Sequence, residues 1–122
     1  MQLKGIGVNM IALGSDHAGF PLKQEIMKHF DEIGVEYKDY GCYSPERFDY
    51  AIAAQKACDA VVSGDCDKAV LCCGTGIGIS MAANKVKGIR AAACSDYFSA
   101  KYTRLHNDVN KYRTYLLSLI HI

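Results

Sequence analysis

Short apolar runs alternate along the chain with segments of helical period. Met10–Gly14 (MIALG) is an unbroken apolar run closed by glycine, the pattern of a strand covered on both faces. Pro21 suits the first turn of a helix, and Leu22, Ile26, Phe30 and Ile33 then share one helical face until Gly34. Val35–Gly41 (VEYKDYG) predicts a second strand, and SPERFD a loop whose Asp49 is able to cap the next helix. That helix carries Ile52, Ala53, Ala57, Ala60 and Val61 and stops at SGD. Lys68–Cys73 (KAVLCC) predicts a third strand and Gly78–Val86 a third helix. Ile89–Cys94 (IRAAAC) predicts a fourth strand and Asp96–Asn107 a fourth helix.

This alternation predicts an α/β fold: a Rossmann-like, three-layer α/β/α arrangement about a parallel sheet with right-handed crossovers. The strand order expected is 2-1-3-4. All 122 residues are expected to form a single domain, since the chain shows neither internal repeats nor a low-complexity linker.

Composition narrows the function classes. Half the residues (50%) are apolar, and the net charge is +1 with acids and bases interspersed. Nothing electrostatic favours nucleic acid or an anionic membrane as partner. No apolar run reaches membrane-spanning length and no basic-then-apolar leader opens the chain, so a cytoplasmic protein is expected. The cysteines are Cys42, Cys58, Cys66, Cys72, Cys73 and Cys94; they form no C-x-x-C pair and no zinc spacing. Most read as small buried apolar residues, and no metal or other cofactor is expected.

In open α/β sheets, ligands bind beyond the carboxyl ends of the strands, where strand order reverses. In a 2-1-3-4 order the loops after strands one and three, GSDHAGF (Gly14–Phe20) and LCCGTGIGIS (Leu71–Ser80), face each other across one crevice. Gly74, Gly76 and Gly78 let backbone N–H groups approach a ligand, and a helix beginning near Gly78 adds the positive end of its dipole. The second loop therefore reads as an anion site. It is not a Walker A loop, because no Lys-Ser/Thr pair follows at the required distance, and its place after the third strand argues against a dinucleotide fingerprint. A cysteine phosphatase loop needs an arginine where Gly78 and Ile79 stand. A thiol beside such a helix start favours the thiolate, which can remove a proton from carbon while the loop holds the resulting oxyanion. The alternative is that Cys73 fills core before a tight turn. On the opposite rim Asp16 can hold sugar hydroxyls or merely cap a helix, and His17 can meet a phosphate. His106, in RLHND, suits proton transfer, although a histidine at a helix C-terminus also serves as a cap.

GSDHAGFPLK, CGTGIGISMAANKVKGIRAAAC and HNDVN, with DYGCYSPERFDY more loosely, resemble the ribose-5-phosphate isomerase B family, grouped with the galactose-6-phosphate isomerase subunits. The resemblance runs from about Met10 to Asn110, and SDH with CGTG points to the ribose enzyme. It implies reversible interconversion of ribose 5-phosphate and ribulose 5-phosphate, a step of the pentose phosphate pathway, through an enediolate and without a metal. By position it implies that Cys73 is the base, and that Gly74, Thr75, Gly76, Ile77 and Gly78 surround the enediolate oxygens, with Thr75 taking part in catalysis. It further implies that His106 assists ring opening and Asn107 binds substrate. Asp16 would bind hydroxyls, His17 would lie near the phosphate and Tyr43 would cover the site. A homodimer or homotetramer with shared sites is implied as well. Two alternatives stay open: an isomerase of a 6-phosphate aldose such as allose or galactose 6-phosphate, and a non-catalytic sugar-phosphate-binding fragment.

After HNDVN the family continues with a strand of type V-L-x-L-G-x-R and a helical region, which bring phosphate-binding arginines. Here KYRTYLLSLIHI (residues 111–122) follows, Leu117 stands in the place of the first arginine, and Arg113 fits no motif. A truncated chain is therefore expected, with the fifth strand missing or replaced and strand four exposed at its edge. YLLSLIHI is available to pair at that edge, and reduced folding and activity are expected. LSLIHI is also what a transposase adapter used in DNA sequencing encodes, so read-through is expected there. The MIALGSDH start makes Met10 the expected first natural residue, with MQLKGIGVN as translated leader.

Overall fold

The computed structural model describes residues 10–94 and 115–120. The elements run β1 (Met10–Ser15), α1 (Phe20–Ile33), β2 (Glu36–Asp39), α2 (Tyr50–Ser63), β3 (Lys68–Cys73), α3 (Ile77–Asn84), β4 (Arg90–Cys94) and β5 (Tyr115–Ile120). All strand pairs are parallel, as the α/β class requires. Right-handed crossovers put α1 on one face of the sheet and α2 with α3 on the other.

Local chemistry sets most boundaries. Pro21 stands in the first turn of α1, and Gly34 caps its end by donating its N–H to the Phe30 carbonyl. Asp49 caps α2, its Oδ1 accepting the Ala51 N–H at 2.8 Å. The core lies between the sheet and the α2–α3 layer, where Ala54, Ala57 and Val61 meet Ala12, Leu71 and Ile79. All six cysteines are buried, in keeping with their reading as small apolar residues.

α1 departs from expectation. Ile33 is 56% exposed and Leu22, Ile26 and Phe30 are only half-buried, whereas the buried residue of this helix is Lys23. The helix packs along β1, β2 and β3, and β2 is a short strand of Glu36, Tyr37, Lys38 and Asp39 that offers it little apolar surface.

The sheet order is β2-β1-β3-β5-β4. The first three strands stand as expected, but β3 and β4 are not neighbours. β5 lies between them, pairing Ala69–Cys73 with Leu116–Ile120 on one side and Arg90–Cys94 with Tyr115–Leu119 on the other. The tail thus forms an inner strand and does not add to the outer edge of β4. A strand placed there pairs its backbone along both sides, where one added outside β4 would pair along one. The reversal between β1 and β3 is unaffected. The predicted fourth helix, Asp96–Asn107, lies outside the described residues. Among the described residues no helix is long and apolar enough to cross a membrane.

Candidate active site

β1 and β3 end side by side, with Ser15 opposite Cys72. The loops that leave them meet backbone to backbone. The Asp16 N–H donates to the Cys72 carbonyl at 3.3 Å. A Cβ on Gly19 would collide with that carbonyl and stand 2.7 Å from the Cys73 nitrogen, so only glycine allows this approach.

Along β3 successive side chains face opposite sides of the sheet. Cys72 faces the α1 side, fully buried. Burial pushes its thiol up to about 12; Cys73 and Asp16 act in the same direction and Lys23 opposes them. Cys73 faces the other layer, clustered with Leu71, Ile79 and Ala83. Its Sγ accepts the Gly76 N–H at 3.1 Å, and Thr75 Oγ1 accepts the Ile77 N–H at 3.1 Å. Gly76 adopts a left-handed φ of 79°, which turns the chain sharply from strand into α3. The same turn folds the Gly76 and Ile77 amides back onto residues just before them, so these two N–H groups shape the loop itself. Gly74 and Thr75 stand exposed at its tip, beside the N-terminus of the eight-residue α3.

On the β1 rim Asp16 is 8% exposed, and its Oδ1 accepts the Gly19 N–H at 2.9 Å. It closes the turn ahead of α1, whose cap residue, Gly19, makes no side-chain bond. His17 is exposed, with Nδ1 3.2 Å from the Phe48 nitrogen and 3.3 Å from the Phe48 carbonyl oxygen. Accepting the Phe48 N–H requires the tautomer that carries its proton on Nε2.

Asp16, His17, Arg47, Phe48, Asp49, Tyr50 and Ala51 line an open cleft of about 570 Å³. The Tyr50 ring rests on α3 where a Cβ on Gly78 would come within 3.0 Å of it, so the bare Gly78 seats the ring and joins this rim to the glycine loop. Arg47 and Tyr50 were not singled out from sequence. The signal is the Asp49 cap: it starts α2 at the end of the loop that leaves β2, at the same edge of the sheet as the other two loops. Tyr43, expected over the site, donates its hydroxyl to the Asp39 carbonyl at 3.1 Å and sits with its ring 5.6 Å from Lys23 Nζ. It is not among the residues lining the cleft. The β1–β3 junction therefore brings together Cys73, Gly74, Thr75, Gly76, Ile77 and Gly78 with Asp16 and His17. His106 and Asn107 lie outside the described residues. Among the described residues no three His, Cys, Asp or Glu side chains are grouped to hold a metal ion.

Known proteins share this sequence pattern and fold. The family model described as Ribose/Galactose Isomerase matches residues 11–111. Ribose-5-phosphate isomerase B of Escherichia coli (strain K12) is 53% identical over 100 residues, which cover 82% of this chain and 67% of that protein. The structure of ribose-5-phosphate isomerase B from Clostridium thermocellum superposes with a TM-score of 0.85 at 45% identity, over 92% of this chain and 72% of that one. Its counterpart from Thermotoga maritima gives a TM-score of 0.82 at 41% identity, over 90% and 72% of the two chains. By sequence along most of its length, and by fold, the chain belongs to the ribose/galactose isomerase family of enzymes.

Proposed function

We propose that this isomerase interconverts ribose 5-phosphate and ribulose 5-phosphate through an enediolate, in the pentose phosphate pathway. The observation that carries the reading is the Cys73 sulfur, oriented by the Gly76 N–H in a loop without charged side chains, at the junction that also holds Asp16 and His17. As a thiolate, Cys73 takes the C2 proton of the open-chain aldose. The electron pair left behind becomes the C1–C2 double bond, and the carbonyl oxygen O1 takes the negative charge. A proton passes from O2 to O1, and the sulfur returns its proton to C1 to give the ketose. The N–H bond to sulfur is charge-assisted in the thiolate form and aims the base. Gly74, Thr75 and the start of α3 surround the oxygen on which charge develops, where fixed dipoles act most strongly.

Asp16 holds sugar hydroxyls and His17 the phosphate in this reading. His106 and Asn107 take the ring-opening and substrate-binding roles that the family resemblance implies. Tyr50, seated on Gly78 in the cleft, covers the sugar in place of Tyr43. A homodimer or homotetramer in the cytoplasm belongs to the same proposal. The openness of the cleft favours one second reading, a longer 6-phosphate aldose such as allose or galactose 6-phosphate.

The test is ribulose 5-phosphate formation by the chain, with the two 6-phosphate sugars as rival substrates. Cys73→Ala is expected to lower kcat by about a thousandfold, and Cys72→Ala to leave it within about threefold. Full activity in Cys73→Ala would show that the thiol is not the base. Binding without turnover by the wild type would leave a sugar-phosphate-binding fragment.

A further inference from the structure

α1 buries a lysine that the reaction above does not use. Lys23 is 0% exposed, and its three ammonium donors find acceptors in Asp39 Oδ1 at 2.7 Å, Asp39 Oδ2 at 2.9 Å and the Cys42 carbonyl. An apolar side chain would fill the same space without stripping a charge of water. What the ammonium adds is visible in the bonds around it.

Asp39 Oδ1 also accepts the Gly41 N–H at 2.9 Å, so the turn from Asp39 to Cys42 is gathered onto Lys23. This turn extends the β1–β2 ladder past its last pair, Leu13 with Asp39. Tyr40 N–H donates to the Leu13 carbonyl at 2.8 Å, Ser15 N–H to Gly41 at 2.6 Å, and Cys42 N–H to Ser15 at 2.9 Å. Ser15 is covalently joined to Asp16. From Asp16 the bonds lead back: its carboxylate takes the Gly19 N–H, and the Gly19 carbonyl takes the Lys23 N–H at 3.0 Å. A closed circuit therefore runs Asp16, Gly19, Lys23, Cys42, Ser15 and Asp16 again.

We propose that Lys23 is a positioning residue of the isomerase site: paired with Asp39 and bonded to Cys42, it holds Ser15 and so aims Asp16 and His17 at the sugar phosphate. This rests on the ribose 5-phosphate reading. Lys23 acts on the rim that holds substrate and not on Cys73, so its loss is read in KM and not in kcat.

The test compares wild type with Lys23→Met/Asp39→Asn, which leaves no unpaired buried charge and keeps an acceptor for the Gly41 N–H. The expected result is a melting temperature near wild type and exchange at the Ser15 and Cys42 amides about tenfold faster, while the β3 amides keep their protection. KM is expected to rise about tenfold with kcat within about twofold. Wild-type exchange at Ser15 and Cys42, faster exchange spread equally over β1 and β3, or an unchanged KM would each overturn the proposal. If the double variant does not fold, Lys23→Gln/Asp39→Asn, which also leaves no buried charge and keeps a donor at position 23, carries the same exchange readout, with an expected change of about threefold. If the wild type converts no ribose 5-phosphate, the functional reading fails separately, and exchange at Ser15 and Cys42 alone decides the role of Lys23.

Discussion

Between Cys73 and Gly78 no side chain is charged, and the bonds from Gly76 to Cys73 and from Ile77 to Thr75 reach only two or three residues along the chain. Across the crevice the rim is shaped by Asp16, Lys23, Asp39 and Cys42, and by His17 against Phe48, which is 31 residues away in sequence. A loop turned by such short-range bonds keeps more of its form when distant parts loosen. A rim held by long-range side-chain bonds gives way as a unit. The contrast suits the two tasks proposed for them, since a base must stay aimed while a rim must fit the sugar phosphate it holds.

The contrast is most open to attack where the two sides touch. Gly19→Ala forces a methyl group into the Cys72–Cys73 backbone and is expected to lower stability by about 3 kcal/mol in urea titration. Gly74→Ala meets only the Ala18 Cβ, at 3.7 Å, and is expected to change stability by about 0.5 kcal/mol or less. Equal losses would mean that the two sides are constrained alike.

A smaller effect comes from alkali. Burial pushes the Cys58 and Cys72 thiols up to about 12 from an ordinary value of 9.0. Between these values the unfolded chain gives up protons that the folded chain keeps. Stability is therefore intact below pH 9 and falls as pH rises toward 12. Urea titrations at about pH 8.5 and 10 are expected to differ by about 2.5 kcal/mol in stability, about half from each thiol. Cys72→Ala should remove about half of that difference, because it takes away one of the two buried thiols. A flat profile would contradict the burial of both thiols.

The smallest effect is at the helix that brings Tyr50. Asp49→Ala removes the bond to the Ala51 N–H and is expected to cost about 1 kcal/mol by thermal melting, with Asp49→Asn close to wild type. No loss in Asp49→Ala would mean that the cap does not hold in solution.

What could be read from sequence follows the same division. Lys68–Cys73, the Asp49 cap, the Gly34 stop and the glycine loop rest on neighbouring residues, and the structure repeats them nearly residue for residue. The burial of Lys23 depends on Asp39, 16 positions on, and no local pattern displays it. The half-buried face of α1 could not be foreseen without knowing which strands it meets, the polar β2 among them. Tyr43 and Tyr50 flank one loop with the same chemistry, and their different places, on Asp39 and on Gly78, come from packing that the sequence does not display. The inner place of β5 depends on closure of the whole sheet, which its own six residues do not encode.

That inner place also orders events in time. A ribosome releases β3 and β4 before Tyr115–Ile120, yet these strands stand two strand spacings apart, about 9–10 Å, with β5 between them. Until the late strand arrives, the emerging chain is expected to hold β2, β1 and β3 with α1 and α2 as a partial sheet. Its unpaired β3 edge would then be the point at which nascent chains stick to one another or recruit a chaperone.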